Sequence, residues 1–354
     1  MYLRTDSFAT PKMEYLKPRD YLFATAGTPL VDVRSPGEFA SGHITGAISI
    51  PLFGDDERAI VGTIYKQQGK QDAIEKGLEI VGPKMAALAQ KAKDAAVDGT
   101  IGVYCWRGGM RSNRMAWLFE QIGLNCTLLE GGYKAYRNAA LNGFLDLKNL
   151  LVIDGPTGSG KTDILHAIRD QGEQILDLEG LANHKGSAFG NIGLPEQPTS
   201  QQFQNNLHHK LQKLDLTKRI WIEREGMTIG RVYLPQPLWT TMRNAQAIAI
   251  HLPMEFRVER LVDDYGAAPK SELEKSIRKL QQNLGGQNMN EALELLENAK
   301  LPEVTELLLR YYDKRYAFSK DKYLDRKPIT TELPNGVAKT NARLLIDLAN
   351  YHKL

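Results

Sequence analysis

The chain has 354 residues, of which 42% are apolar and 25% charged, as in an ordinary globular protein of two domains. Its 45 Lys and Arg residues nearly balance its 42 Asp and Glu residues, which excludes a polycation that binds nucleic acid through net charge alone. No apolar run approaches the ~18 residues that a membrane span needs, and two cysteines are too few for a disulfide framework.

These features predict a cytoplasmic protein with no membrane partner. The N-terminal residues MYLRTDSFATPK agree with this prediction, because they lack the apolar core and the small-residue cleavage site of a secretory signal.

The first part of the chain predicts an α/β domain over residues 1–140. Strand-like runs read LVDV, AISI, TIGVYC and CTLLE, and helical stretches separate them, the clearest between about Arg111 and Ile122. Strands that alternate with helices are typical of a parallel sheet. A connecting helix or linker is expected between Asn138 and Leu147.

A second α/β domain is predicted over residues 148–354. Strand-like runs read LLVID, QILDLE, RIWIE and AIAIHL, and the first of them leads into GPTGSGKT and a helix from about Lys161. From about Phe256 to Lys322 the apolar period is helical, with breaks at Gly285-Gly286 and Pro302. A stretch reading KPITTELPNG precedes a last amphipathic helix.

Cys105 ends a predicted strand and is followed by Trp-Arg-Gly-Gly-Met-Arg-Ser. The glycines allow several N–H groups to point at one centre, and the next helix, Arg107 and Arg111 add positive charge there. These surroundings favour a nucleophilic thiolate that attacks an atom bearing anionic oxygens. Cys126, on an apolar strand, is interpreted as a buried structural cysteine.

The second candidate site fits the pattern G-x-x-x-x-G-K-[ST] between a strand and a helix. Gly155, Gly158 and Gly160 open the backbone toward a diphosphate. Lys161 supplies a charge, and the Thr162 hydroxyl is a ligand for Mg²⁺, the expected cofactor.

Acidic and basic residues elsewhere in this domain are further candidates. Asp177, Glu179 and Glu223 could bind the metal, although each could equally be a helix cap or a surface acid. Arg257 and Arg260 could clamp phosphate oxygens, the alternative being a solvated helix face.

Residues Asp32–Pro51, DVRSPGEFASGHITGAISIP, together with VYCWRGGMRS, resemble rhodanese-like domains. Five residues separate Cys105 from Arg111, a spacing that also occurs in rhodanese-fold phosphatases. Loop length therefore leaves a sulfurtransferase or a phosphatase, coupled to an ATP-dependent kinase-like domain, as alternatives. A redox-sensing nucleotide-binding module is a third.

Both loops together with HKGSAFG (184–190) and EREGMTIGRVYLP (223–235) resemble the tRNA 2-selenouridine synthase family over almost the whole chain. The resemblance implies a transferase that acts on the wobble 2-thiouridine in the anticodon region of tRNA. It implies geranylation of the sulfur from geranyl diphosphate, then replacement by selenium from selenophosphate, carried on Cys105. No tightly bound organic cofactor is expected.

A candidate RNA surface lies between Arg310 and Tyr323, where basic and aromatic residues alternate. Arg310, Lys314 and Arg315 could contact phosphates, and Tyr316 could stack on an unpaired base. The alternative is an amphipathic helix whose tyrosines pack inward.

Overall fold

Two parallel sheets organise the chain. The structure is a computed structural model that describes residues 13–323 and 326–354, so the N-terminal segment considered above for a secretory signal lies outside the described residues. Contacts between Cα atoms divide the chain into unit 1, Met1–Ala140, and unit 2, Leu141–Leu354. In the described part, each unit contains one five-stranded sheet.

The elements of unit 1, the last of which runs into unit 2, are β1 (Glu14–Leu16), α1 (Pro18–Ala24), β2 (Leu30–Asp32), α2 (Pro36–Ser41), β3 (Ile48–Ser49), α3 (Asp55–Gln67), α4 (Lys70–Val81), α5 (Met85–Ala95), β4 (Thr100–Tyr104), α6 (Met110–Gln121), β5 (Asn125–Leu129) and α7 (Gly132–Gly143). The strands pair in the order β1-β5-β4-β2-β3, and every pairing is parallel. The sheet therefore has its carboxyl ends at one edge, where β4 leads into the Cys105 loop.

Strand β4 explains why this edge is rigid. Its side chains alternate between the two faces of the sheet. Ile101 and Val103 belong to one apolar cluster and Tyr104 to another, and all three are at most 1% exposed. Helices cover both faces of such a strand, so the residue that follows it has a fixed position.

The elements of unit 2 are β6 (Leu150–Asp154), α8 (Lys161–Arg169), β7 (Gln174–Leu176), α9 (Leu178–Ala182), α10 (Ser200–Leu211), β8 (Ile220–Glu223), β9 (Thr228–Ile229), β10 (Val232–Tyr233), α11 (Gln236–Asn244), β11 (Gln246–His251), α12 (Met254–Tyr265), α13 (Lys270–Lys279), α14 (Gln281–Leu284), α15 (Gly286–Glu297), α16 (Leu301–Tyr323), β12 (Ile329–Glu332) and α17 (Ala338–Tyr351). The sheet order is β12-β11-β6-β8-β7, again with parallel pairings, and β9 and β10 form a separate antiparallel pair.

The predicted α/β class, with a parallel sheet in each half and helical additions in the second, is confirmed. Strand β6 lies in the middle of the second sheet, with Leu150 and Val152 in one apolar cluster and Leu151 and Ile153 in another. The predicted breaks also match helix boundaries, because α15 begins at Gly286 and Pro302 lies in the first turn of α16.

Two short edge strands had no clear signal in the sequence. β1 is three residues long, and β12 lies within KPITTELPNG, where Ile329 pairs with Ile248 of β11. Edge strands of three or four partly exposed residues carry too little apolar alternation to be distinguished from a loop.

Among the described residues, every helix is too short or too polar to traverse a lipid bilayer.

Candidate functional site

The Cys105 loop connects β4 to α6 and encloses the thiol. Cys105 is 3% exposed, and its Sγ accepts a hydrogen bond from the Gly109 N–H at 3.4 Å and lies 3.2 Å from Ser112 Oγ. Gly108 has φ +62°, and a Cβ there would lie 2.7 Å from the Leu129 carbonyl oxygen, so only glycine fits. The backbone thus points an N–H donor at the sulfur, as an anion-binding loop requires.

The two arginines of this loop have different surroundings. Arg107 is exposed. Arg111 is bound by Glu38, with 2.7 Å between Nη1 and Oε2, and Arg58 contacts the same carboxylate at 3.0 Å. Burial opposes the charged form of Glu38, but the hydrogen bond and charge of Arg111 prevail and lower its pKa to about 2. Arg111 is therefore oriented by a carboxylate, a partner that the sequence did not identify.

A buried ion pair supports the loop from below. Arg34 contacts Asp32 at 2.5 Å, with both side chains at most 1% exposed, and its guanidinium lies 3.9 Å from the centre of the Tyr133 ring. The Tyr133 N–H in turn donates to the Cys105 carbonyl at 2.8 Å. These residues connect the DVR segment to the backbone of the nucleophile.

Cys126 lies in the core of unit 1. Its Sγ faces the Ala116 carbonyl oxygen at 3.7 Å, and burial, with a smaller contribution from Glu120, raises its pKa to about 12. This environment is that of an unreactive structural cysteine.

The phosphate loop of unit 2 joins the buried strand β6 to α8. Gly158 and Gly160 have φ +79° and +76°, which favour glycine. The Lys161 ammonium donates to the Gly155 carbonyl at 3.1 Å, so the side chain lies along the loop. The geometry is that of a loop able to surround a diphosphate with N–H groups and one cation.

Three carboxylates gather beside Thr162. Its Oγ1 lies 2.7 Å from Glu223 Oε2 and 2.9 Å from Glu179 Oε2, and Glu225 completes a group whose ligand atoms lie within 4.8 Å of one another. Burial raises the pKa of each carboxyl, and repulsion among the three adds to the shift. Such a group fits a hard divalent cation, because all its donors are oxygens and its charges need compensation.

Sequence reasoning missed Glu225, and it committed to Asp177 rather than Glu179. The missed signal is the spacing Glu-x-Glu at the end of β8, which can bring two acids to the same side. Asp177 lies elsewhere: its Oδ1 accepts from the Gly180 N–H at the start of α9, and its Oδ2 lies 2.7 Å from His166 Nε2.

Arg257 and Arg260 project from α12 toward the loop. Arg257 is 4% exposed, donates to the Thr157 carbonyl at 2.9 Å and forms an ion pair with Asp313, so it supports the loop and does not lie on a solvated face. Arg260 pairs with Asp163 and lines the cavity above the loop.

That cavity has a volume of about 610 Å³ and is lined by the phosphate loop, Glu179, Glu225, Arg260 and residues of α16. We call it the phosphate cavity.

The candidate RNA segment forms the second half of α16. Arg310 and Lys314 are exposed, and Arg310 pairs with Glu306. Arg315 and Tyr316 line the phosphate cavity. Side chains of residues 319–323 lie outside the described part.

Tyr316 matches neither proposed role simply. Burial and the Asp154 carboxylate raise its pKa, and the Arg224 guanidinium lies 5.5 Å from the centre of its ring. The ring thus faces the phosphate cavity instead of the core of the unit.

Comparison with known proteins adds a family to this geometry. A family model described as the tRNA 2-selenouridine synthase AAA domain matches residues 148–341, more than half of the chain. The chain belongs to the tRNA 2-selenouridine synthase family. A second family model, for the rhodanese-like domain, matches residues 20–139.

Members of the family resemble the chain over different shares of their length. A tRNA 2-selenouridine synthase of Bdellovibrio bacteriovorus is 34% identical over 85% of this chain and 90% of its own, and one of Salmonella typhi is 36% identical over 86% and 93%. The relative from Nitrosomonas europaea is 40% identical over 68% of this chain, and the chain spans only 64% of that relative's length.

Among solved structures, a rhodanese-related protein of Thermoplasma volcanium is 21% identical over 36% of this chain and 92% of that one, with a TM-score of 0.23.

Proposed function

We propose that the protein is a tRNA-modifying transferase that converts wobble 2-thiouridine to 2-selenouridine in two steps. The observation that carries the proposal is the presence, in one chain of this family, of an enclosed thiol on an anion-binding loop and of a separate phosphate loop beside three carboxylates. Two chemically different loops suit a reaction with two different co-substrates.

The first step is geranylation of the thiouridine by unit 2. The sulfur attacks C1 of geranyl diphosphate, the C1–O bond breaks, diphosphate leaves, and the nucleobase loses its N3 proton. The phosphate loop and Lys161 bind the leaving diphosphate and stabilise the charge that it gains. Arg257 holds the loop in shape through the Thr157 carbonyl.

A Mg²⁺ ion fits the group formed by Thr162, Glu179, Glu223 and Glu225. When bound, it would supply further positive charge for the leaving diphosphate. The carboxylates themselves hold the Thr162 hydroxyl in place, so the residue after Lys161 is fixed with or without substrate.

The second step is exchange of the geranylthio group for selenium. Cys105 accepts selenium from selenophosphate, an S–Se bond forming as the Se–P bond breaks. The selenium then attacks C2 of the nucleobase, the C2–S bond breaks and geranylthiol leaves. A cellular thiol reductant cleaves the S–Se bond and restores the cysteine. The Gly109 N–H and Arg111 favour the anionic forms of this sulfur and of the incoming donor.

The partner implied by this chemistry is the anticodon region of a tRNA in the cytoplasm. The exposed cations Arg310 and Lys314 with Arg315, on the helix that borders the phosphate cavity, would contact its phosphates.

Nucleoside analysis of tRNA from a strain that lacks the protein tests the proposal. We expect 2-selenouridine and geranylated 2-thiouridine to disappear and 2-thiouridine to accumulate. Unchanged 2-selenouridine would refute the proposal. An absolute requirement for ATP in the purified reaction would instead support the kinase-like alternative.

A further inference from the structure

A second cavity adjoins the phosphate cavity, and its walls are apolar. It is lined mainly by helices α12, α13, α15 and α16, with Leu261, Ile277, Leu296, Val304 and Leu308 among its residues. We call it the apolar cavity. Most of its lining comes from the apolar core of the helical part of unit 2.

The two cavities share part of their walls. Thr157 of the phosphate loop, Ser187, Leu261, Tyr265 and Tyr312 line both. A ligand whose diphosphate lies on the loop can therefore extend directly into the apolar cavity.

The shared tyrosines preserve the apolar character of this junction. Burial is the main cause that raises the pKa of Tyr265, to about 12, and that also raises the pKa of Tyr312. Both hydroxyls stay uncharged at neutral pH. The Tyr312 oxygen accepts a hydrogen bond from the Ala188 N–H at 3.4 Å, so its ring is the part available to a ligand.

We propose that the apolar cavity binds the hydrocarbon chain of the diphosphate ester whose diphosphate lies on the phosphate loop. This inference rests on the proposed function and assigns the chain-binding residues of the same site. A nucleotide fits the two cavities poorly, because its base carries donors and acceptors that an aliphatic wall leaves unpaired. A short isoprenoid chain has no such groups, and each methylene removed from water adds to its affinity.

The size of the cavity limits the length of the chain. Its volume is about 70 Å³, so we expect preference for a short isoprenoid such as geranyl over one that is an isoprene unit longer. Residues 304, 305 and 308 on one side of α16 set this limit.

Thr305→Phe tests the assignment by placing a ring in the apolar cavity. The partly buried Thr305 lines that cavity but not the phosphate cavity, and Glu303→Phe is a matched control that adds the same ring on the exposed side of the same helix. The measurement is calorimetric binding of inorganic diphosphate, geranyl diphosphate and ADP to the full chain with Mg²⁺.

For the wild type we expect geranyl diphosphate to bind about tenfold or more tightly than inorganic diphosphate and than ADP. Thr305→Phe should remove this advantage and leave inorganic diphosphate affinity unchanged, and Glu303→Phe should change neither. Equal affinities in the wild type, or an advantage that survives in Thr305→Phe, would overturn the assignment while leaving a functional diphosphate loop. Failure of the wild type to bind inorganic diphosphate would refute the loop's role in the proposed function as well.

A second variant provides the test if Thr305→Phe does not fold. Leu308→Ala enlarges the cavity, and it should raise the affinity for farnesyl diphosphate relative to geranyl diphosphate. An unchanged ratio of these affinities in a folded variant would contradict the assignment. Circular dichroism melting establishes which variants are folded.

Discussion

The Cys105 loop and the phosphate loop begin alike and end with opposite electrostatics. Each follows a buried parallel strand, uses glycines with positive φ and precedes a helix whose N-terminus favours anions. Around Cys105 the nearby carboxylate, Glu38, is bound by Arg111 and stays ionised, with a pKa of about 2. Beside the phosphate loop, three carboxylates crowd together and their pKa values are raised.

The difference teaches that one backbone device can serve two chemistries, depending on which charges surround it. In unit 1 the acid is satisfied by arginine, and the net field favours a reactive thiolate and an anionic donor. In unit 2 the acids exceed the cations near Thr162, so the site suits a metal ion together with a diphosphate. The following predictions test this contrast, from the largest expected effect to the smallest.

Cys105→Ser should abolish selenium incorporation and leave geranyl transfer intact, because only unit 1 loses its nucleophile. Geranylated tRNA should then accumulate, as measured by mass spectrometry of tRNA nucleosides. Cys126→Ser, a change to the core cysteine, is the control and should leave both steps intact in the folded protein. Normal production of 2-selenouridine by Cys105→Ser would show that this cysteine does not carry selenium.

Lys161→Ala should lower the rate of geranyl transfer by roughly a hundredfold or more, because the leaving diphosphate loses its fixed cation. The assay contains purified protein, thiouridine-containing tRNA, geranyl diphosphate and Mg²⁺, with no ATP. Selenium exchange on tRNA that is already geranylated should continue, which separates the two loops. Lys185→Ala, which removes another cation lining the same cavity, is the control and should have a smaller effect.

Lys314→Ala combined with Arg315→Ala should weaken tRNA binding at modest salt. Each lost phosphate contact lowers the slope of log affinity against log salt by about 0.7 to 0.9. Filter binding across a salt series measures this slope, and Arg343→Ala, an exposed cation on α17, is the matched control. Wild-type affinity and slope in the double variant would move the RNA surface elsewhere, with the cluster from His208 to Arg219 as the next candidate.

The stability of unit 1 should depend on Glu38 in acid. A lowered pKa in the folded state means that the stabilisation is complete above the ordinary value of 4.5 and is lost as the pH falls from there to about 2. The shift corresponds to at most about 3 kcal/mol. Hydrogen exchange of unit 1 amides at several pH values should show this loss in the wild type.

Glu38→Gln should be less stable near neutral pH and should show a flatter acid profile for unit 1. Glu79→Gln, which removes a carboxylate in an exposed pair with Lys76, serves as the control and should keep the wild-type profile. Identical profiles for the wild type and Glu38→Gln would contradict the role assigned to this ion pair.

The sequence by itself determined the fold class, the order of the main strands and the two loops. These features depend on local patterns: apolar period, glycine spacing, and a cysteine or lysine at a fixed offset. The helical breaks at Gly285-Gly286 and Pro302 were also predicted, because glycine and proline restrict the backbone wherever they occur.

Only the tertiary structure decided which distant side chains meet. Glu38 reaches Arg111 across 73 positions and Glu223 reaches Thr162 across 61, distances over which no periodicity carries information. Arg257 became a buried support of the loop instead of a solvated cation, because Asp313 lies opposite it on another helix. The apolar cavity was equally unpredictable, since it exists only where four helices pack against the edge of the phosphate loop. Local sequence sets backbone geometry, whereas packing sets the field and the shape in which the chemistry takes place.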